Sequence, residues 1–281
     1  MTNPELPLPR PNQHEHGEVV RVEDLLLPRE QYSEAEERYP RGSITLEIQN
    51  DTQELFYFGA NHSKNPENPQ YAALKEYWER FLKATEGKER IVLVEGELRK
   101  LYTDENAAIS SGAEGNLVTL LAHQANILVA CPDLDEEALV ERLPDLDRNH
   151  VLLYEFLAWV TGFQRNLNQE MSLMESVQTW AERESQREIW KSLDVSVAKL
   201  MELHRQILGK DFDENENTND LINPNLTTTP INIIARALSD QRDLNIASEL
   251  VRYWREGKSI FSTFGRGHLI IEEPALRKLL T

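Results

Sequence analysis

The sequence predicts a three-layer α/β fold: a central mixed, mostly parallel sheet that carries a helical insertion. Three observations predict it. The runs Ile91-Val92-Leu93-Val94 and Ile127-Leu128-Val129-Ala130-Cys131 read as strands covered on both faces. Segments with helical spacing alternate with strand-like runs towards both ends of the chain. Between those ends, residues 135 to 208 read almost wholly helical.

Each element follows from local pattern. Residues 1–42 are rich in proline (Pro4, Pro7, Pro9, Pro11, Pro28, Pro40) and acid (Glu34, Glu36, Glu37), and read as an extended, partly disordered arm. Val22 and Leu25 to Leu27 would anchor part of it, and its His14-Glu15-His16 pair reads as incidental on a polar tail. A single domain, 43–281, begins where Ile44, Leu46 and Ile48 alternate with polar residues. Asn50-Asp51 then turns the chain into Glu54 to Ala60, completing a hairpin. Tyr71, Leu74, Trp78 and Phe81 mark a helix over roughly 69–85, which Gly87 ends. After strand 91–94, Gly112-Ala113-Glu114-Gly115 opens a helix carrying Leu117, Leu120 and Leu121, and Pro132 stops strand 127–131.

The helical insertion, about 135–210, shows core positions at Leu139, Leu152, Phe156, Val160, Trp180, Trp190 and Leu200, an aromatic stripe that reads as packing. Residues 211–222 imitate a calcium loop but place Glu216 where glycine and Ile222 where a bidentate acid should stand, so they read as acidic surface. Thr229-Pro230 caps a helix to about Glu256, with a break expected near Ser239-Asp240. Gly257 hands over to strand 259–264, and Pro274 to Leu280 close the chain as a helix.

Composition narrows the function. The 281 residues are 40% hydrophobic and 28% charged, which fits a globular body. A formal net charge of −18 disfavours nucleic acid and anionic membrane as partners and suits metal ions with neutral or cationic substrates. No apolar run approaches the ~18–20 residues that span a bilayer. No basic n-region or apolar h-region opens the chain, so no signal peptide is expected. With Cys131 as the single cysteine, a reducing, cytoplasmic setting is expected. The expected partners are a small-molecule or peptide substrate and, through the apolar insertion, a second copy in a homodimer.

The chemistry-bearing residues gather at strand ends. Gly59-Ala60-Asn61-His62 and Gly265-Arg266-Gly267-His268 each close a strand, and strand 91–94 delivers Glu95 and Glu97, with Arg99 beyond. Strand 127–131 delivers Asp133. Ligands bind outside the carboxyl ends of strands in open α/β sheets. His62 and His268 are therefore expected to meet across one cleft as a metal site or an acid/base pair. Glu95 follows four aliphatics, where a carboxylate needs a cation or a partner. Glu114, between two glycines, reads equally as a helix cap and as a ligand contact. Arg242, four residues from Leu238 and Ile246, points to the core side and needs an acid such as Glu95 or Asp133, or a substrate carbonyl.

In order along the chain stand a Gly-x-x-His strand, a Val-x-Val-Glu strand, the helical pair Arg242-Asp243 and a final Gly-x-Gly-His strand. In these motifs, over roughly residues 44–280, the chain resembles the TraB/Tiki group of the erythromycin-esterase-like superfamily. The resemblance implies an α/β fold whose paired motifs face a shared cleft. In that superfamily such a cleft serves metal-dependent peptide cleavage, ester hydrolysis or haem-iron handling. His62, Glu95, Arg242 and His268 match the family pattern; Glu97, Glu114 and Asp133 stand on the sequence alone as cofactor-binding candidates. The resulting expectation is a hydrolase in which His62, Glu95 and His268 hold a divalent ion (Mn²⁺, Co²⁺ or Zn²⁺). Glu95, Arg242 and His268 are the expected catalytic residues. A metal-free variant uses one histidine as general base. The alternatives are a non-catalytic protein that binds a small ligand, metal or haem iron, and an acidic interaction domain.

Overall fold

The computed structural model describes residues 21–97, 100–165 and 171–281. His14, His16 and Arg99 lie outside them, as do the first twenty residues of the arm. From 21 to 42 the chain is not extended: it makes 3₁₀ turns at Val22–Asp24 and Arg29–Gln31 and a short helix, α1 (Tyr32–Glu36). Tyr32 and Ala35 are buried against the main core, and Leu26 and Leu27 pack beside them. These apolar residues outweigh the surrounding proline and charge.

Strands β1 (Ile44–Gln49) and β2 (Glu54–Ala60) form the expected antiparallel hairpin, with Ile44, Leu46 and Ile48 facing inward. Helix α2 (Gln70–Ala84) leads to β3 (Arg90–Val94), and α3 (Glu105–Gln124) leads to β4 (Leu128–Ala130). The last strand, β5 (Ser259–Gly265), enters the sheet between β2 and β3, giving the order β1-β2-β5-β3-β4. β2, β5, β3 and β4 are mutually parallel, so their carboxyl ends share one edge. β4 is short and lies at the sheet's margin with Leu128 68% exposed, unlike the covered strand its aliphatic run implies.

One face of the sheet packs Ile91, Leu93 and Ile260 against helices α8 (Pro230–Arg255) and α9 (Arg266–Leu279). The other packs Phe56, Val92 and Phe261 against α2 and α3. The fold is thus a three-layer α/β sandwich. Helices α4 (Glu136–Arg142), α5 (Arg148–Arg165), α6 (Leu173–Glu184) and α7 (Val197–Leu208) form the insertion and share a second core around Phe156, Trp180 and Trp190. No helix among the described residues is long and apolar enough to cross a membrane.

Three helix boundaries differ from the sequence reading. α3 starts at Glu105, capped by Asp104, and Gly112-Ala113 is a kink inside it, after which Glu114 begins the second half. α8 runs unbroken through Ser239-Asp240, because both side chains point to Arg29 instead of competing for the helix backbone. α9 begins directly at Arg266 off the end of β5 and contains Pro274, so His268 stands in its first turn.

Candidate functional site

β5, which follows β4 and the insertion in sequence, enters the sheet between β2 and β3, so the connections reverse direction there. A crevice opens beyond the strand ends at such a point. Glu95 follows β3 directly, and its N–H donates to the Thr263 carbonyl at 3.1 Å, extending the ladder by one residue and aiming the carboxylate over β5. The backbone N–H of Gly265 donates to Glu95 Oε2 at 2.7 Å, and Arg242 Nη2 donates to Oε1 at 3.1 Å. Arg242 reaches down from α8 and also grips Asp133, the residue delivered by β4, through Nε (2.8 Å) and Nη2.

The two histidines flank that carboxylate. His62 Nε2 lies 3.5 Å from Glu95 Oε2, and His268 Nε2 lies 3.7 Å from Oε1. Each imidazole has a buried carboxylate behind its other nitrogen: Glu114 at His62 Nδ1, and Asp243 at His268 Nδ1, 2.5 Å away. Such a partner holds a ring in one orientation and one tautomer. The rings differ in exposure, with the His62 side chain 55% exposed and that of His268 12%. Gly265 permits this approach, since a Cβ there would come within 2.7 Å of His62 Nε2.

Electrostatics follow from the packing. Burial pushes the Glu95 carboxyl up, but His268, His62 and Arg242 outweigh it and hold the group well below the usual carboxylate range. Burial lowers His268, yet Asp243 and Glu95 more than compensate and bring it to about 10. The hydrogen bond to Glu114, with Glu95 adding its charge, raises His62 against partial desolvation. Behind the site, burial together with Asp243 drives Glu272 well above its ordinary value, and its Oε2 accepts from the Tyr57 hydroxyl at 3.0 Å.

The structure therefore brings His62, Glu95, Glu114, Asp133, Arg242 and His268 into one network. Glu97 is exposed on the rim, lining the adjoining cavities of about 410 and 1080 Å³ that share Gly96, Asp133 and Arg242. Four residues that join the network were not singled out from sequence as site candidates: Asp243, Glu272, Tyr57 and Arg29. Asp243, His268 and Glu272 form the group of His, Cys, Asp and Glu among the described residues whose donor atoms all lie within 4.8 Å of one another. The spacing His268-x-x-x-Glu272 places both on one face of a helix and would have signalled Glu272 once that stretch was read as helical. Arg29 carries no such signal, because it arrives from 214 residues away in sequence. Comparison with protein-family models, curated proteins and solved structures finds no match to this chain.

Proposed function

We propose that this cleft hydrolyses a peptide or ester bond, with a divalent ion (Mn²⁺, Co²⁺ or Zn²⁺) held by His62, Glu95 and His268. The observation that carries the reading is the paired arrangement. Two imidazoles, each backed on Nδ1 by a buried carboxylate, turn Nε2 to one carboxylate between them. That is the outer support metal-binding histidines commonly have. The donor set suits such an ion: two imidazole nitrogens and a carboxylate. His62 Nε2 and His268 Nε2 face different oxygens of Glu95, at 3.5 and 3.7 Å, so an ion would have to draw the three donors together. The resemblance to the TraB/Tiki group supports the metal reading, and the single cysteine fits a cytoplasmic setting.

An ion bound there would supply an acidified water and polarise the scissile carbonyl. The chain supplies the rest. In the metal-free variant His62, the more exposed ring, passes a proton between Nε2 and the leaving group, steadied by Glu114. Arg242 spends Nε and Nη2 on Asp133 and Glu95, which leaves Nη1 for a developing oxyanion. His268, oriented by Asp243, holds Glu95 in place.

One observation favours the metal-free variant: both Glu95 oxygens already accept hydrogen bonds, from Gly265 N–H and Arg242. One experiment separates the readings. Purified protein is stripped with chelator, reloaded with Mn²⁺, Co²⁺ or Zn²⁺, and assayed on a panel of peptides and esters. Metal-restored turnover, falling ~10²-fold or more in Glu95→Gln, supports the metal reading. Chelator-resistant turnover supports the general-base variant, and no turnover under any loading overturns both.

A further inference from the structure

We propose that Arg29 is a positioning residue for His268, acting through Asp243, so that the segment before the first strand completes the site from its far side. Arg29 sits on the 3₁₀ turn Arg29–Gln31, and its side chain is 7% exposed. Its guanidinium is fully engaged. Nε donates to Asp240 at 2.7 Å, Nη2 to Ser239 Oγ at 2.7 Å and to Asp243 Oδ2, and Nη1 to Asn225 at 3.4 Å. Two further links dock the segment. The Leu27 N–H donates to the Ile271 carbonyl at 2.8 Å, and Glu30 pairs with Arg236. The segment thus bridges α8 and α9, the helices that carry Asp243 and His268.

The consequence lies in how Asp243 divides its oxygens. Its side chain is 1% exposed; Oδ2 faces Arg29 and Oδ1 accepts from His268 Nδ1. A carboxylate this deep needs a cation, and one held at a single oxygen can rotate. With Oδ2 fixed by the Arg29 fork, Oδ1 has one place to be, and it sets the His268 ring so that Nε2 faces Glu95. Lysine carries the charge but not the fork, so it cannot hold Asp240, Ser239 and Asp243 together. The role rests on the proposed reading only in making His268 part of a working site; the orientation of the ring is a property of the chain itself.

The test uses the full chain with ¹⁵N-labelled histidine and reads the His268 ring by long-range ¹⁵N–¹H NMR, assigned through His268→Asn. In the wild type the Nδ1 proton should be shifted downfield and protected from exchange. Arg29→Gln and Arg29→Lys should both lose that protection. Glu30→Gln, which removes the neighbouring ion pair to α8 and leaves Arg29 on Asp243, should keep it. If the protein is found to hydrolyse a substrate, kcat in Arg29→Lys should fall ~10-fold or more at little-changed KM, as for other outer-shell partners. A folded Arg29→Lys or Arg29→Gln protein with the wild-type His268 signal overturns the proposal, even if its melting temperature is lower. Equal loss in Glu30→Gln also overturns it, assigning the effect to docking of the segment rather than to Arg29. If Arg29→Gln does not fold, Arg29→Lys alone decides. Because the ring signal needs no substrate, a protein without hydrolytic activity overturns the proposed function and leaves this test standing.

Discussion

Glu95 can stay ionised at the end of a buried strand because four donors face it: Gly265 N–H, Arg242, His62 and His268. That balance makes two substitutions informative. Gly265→Ala would put a methyl group 2.7 Å from His62 Nε2 and 3.6 Å from Glu95 Oε2. His62 is exposed enough to swing aside, so the melting temperature should move little while metal uptake and turnover drop at least tenfold. A variant that binds metal and turns over like wild type would show that His62 need not approach Glu95. Arg242→Ala removes the cation from Asp133, whose side chain is 7% exposed, and from Glu95. Stranding a buried acid costs ~3–5 kcal/mol. The low end is expected, since the Arg242 side chain is itself 30% exposed, and urea denaturation reads it directly. A loss under ~1 kcal/mol would make the pair a surface contact. Glu95, His62 and Arg242 were legible in the sequence because each breaks a local rule: an acid after four aliphatics, a histidine after a glycine turn, an arginine on an apolar helix face. Arg29 breaks no local rule, and its partners gather only once α8 is folded.

Among the elements, α8 does most to place the site. Its first half contributes Ile231, Ile234 and Leu238 to the core of the insertion, and its second half gives Ile246, Leu250 and Trp254 to the core under the sheet. Arg242 and Asp243 stand at the junction, where one residue looks to the strand ends and the next to His268. The helix itself was readable from its Thr229-Pro230 cap, whereas its continuity through Ser239-Asp240 was not, because it depends on Arg29. α3 presents the converse case. Its glycines were visible, but they mark a kink rather than a start, and the kink puts Ala113 at φ 53°, ψ −142°. A non-glycine residue there is strained by ~1–3 kcal/mol. Ala113→Gly should relieve that strain against an unfolded-state entropy cost of ~0.5–1 kcal/mol. The urea midpoint should therefore rise, by up to ~1–2 kcal/mol in stability with an unchanged m-value. A fall of the size usual for Ala→Gly inside a helix would show that the kink is not strained.

At the scale of the whole molecule, the three-layer order was legible from aliphatic runs and alternation, as was the gathering of charged residues at strand ends, but the way three helices and the leading segment close them into one charged network was not. That network ties stability to pH. His62, raised on folding by its hydrogen bond to Glu114 and by Glu95, loses its stabilising share as pH rises. His268 is raised further: burial lowers it, but Asp243 and Glu95 lift it to about 10 against an unfolded value near 6.5. A group raised on folding stabilises fully below its unfolded value, and that contribution disappears as pH climbs to the folded value. Glu272, raised by burial and by Asp243, adds the same sign of slope beginning above ~4.5. Glu95 is depressed on folding, so its share is present above ~4.5 and lost as the solution is acidified below that. Urea unfolding of metal-free protein should therefore show stability falling steadily from about pH 6.5 towards 10, with a separate loss on the acid side below about 4.5. A curve flat from 6.5 to 9 would mean that His268 is neutral in the folded protein and that Asp243 answers to Arg29 alone.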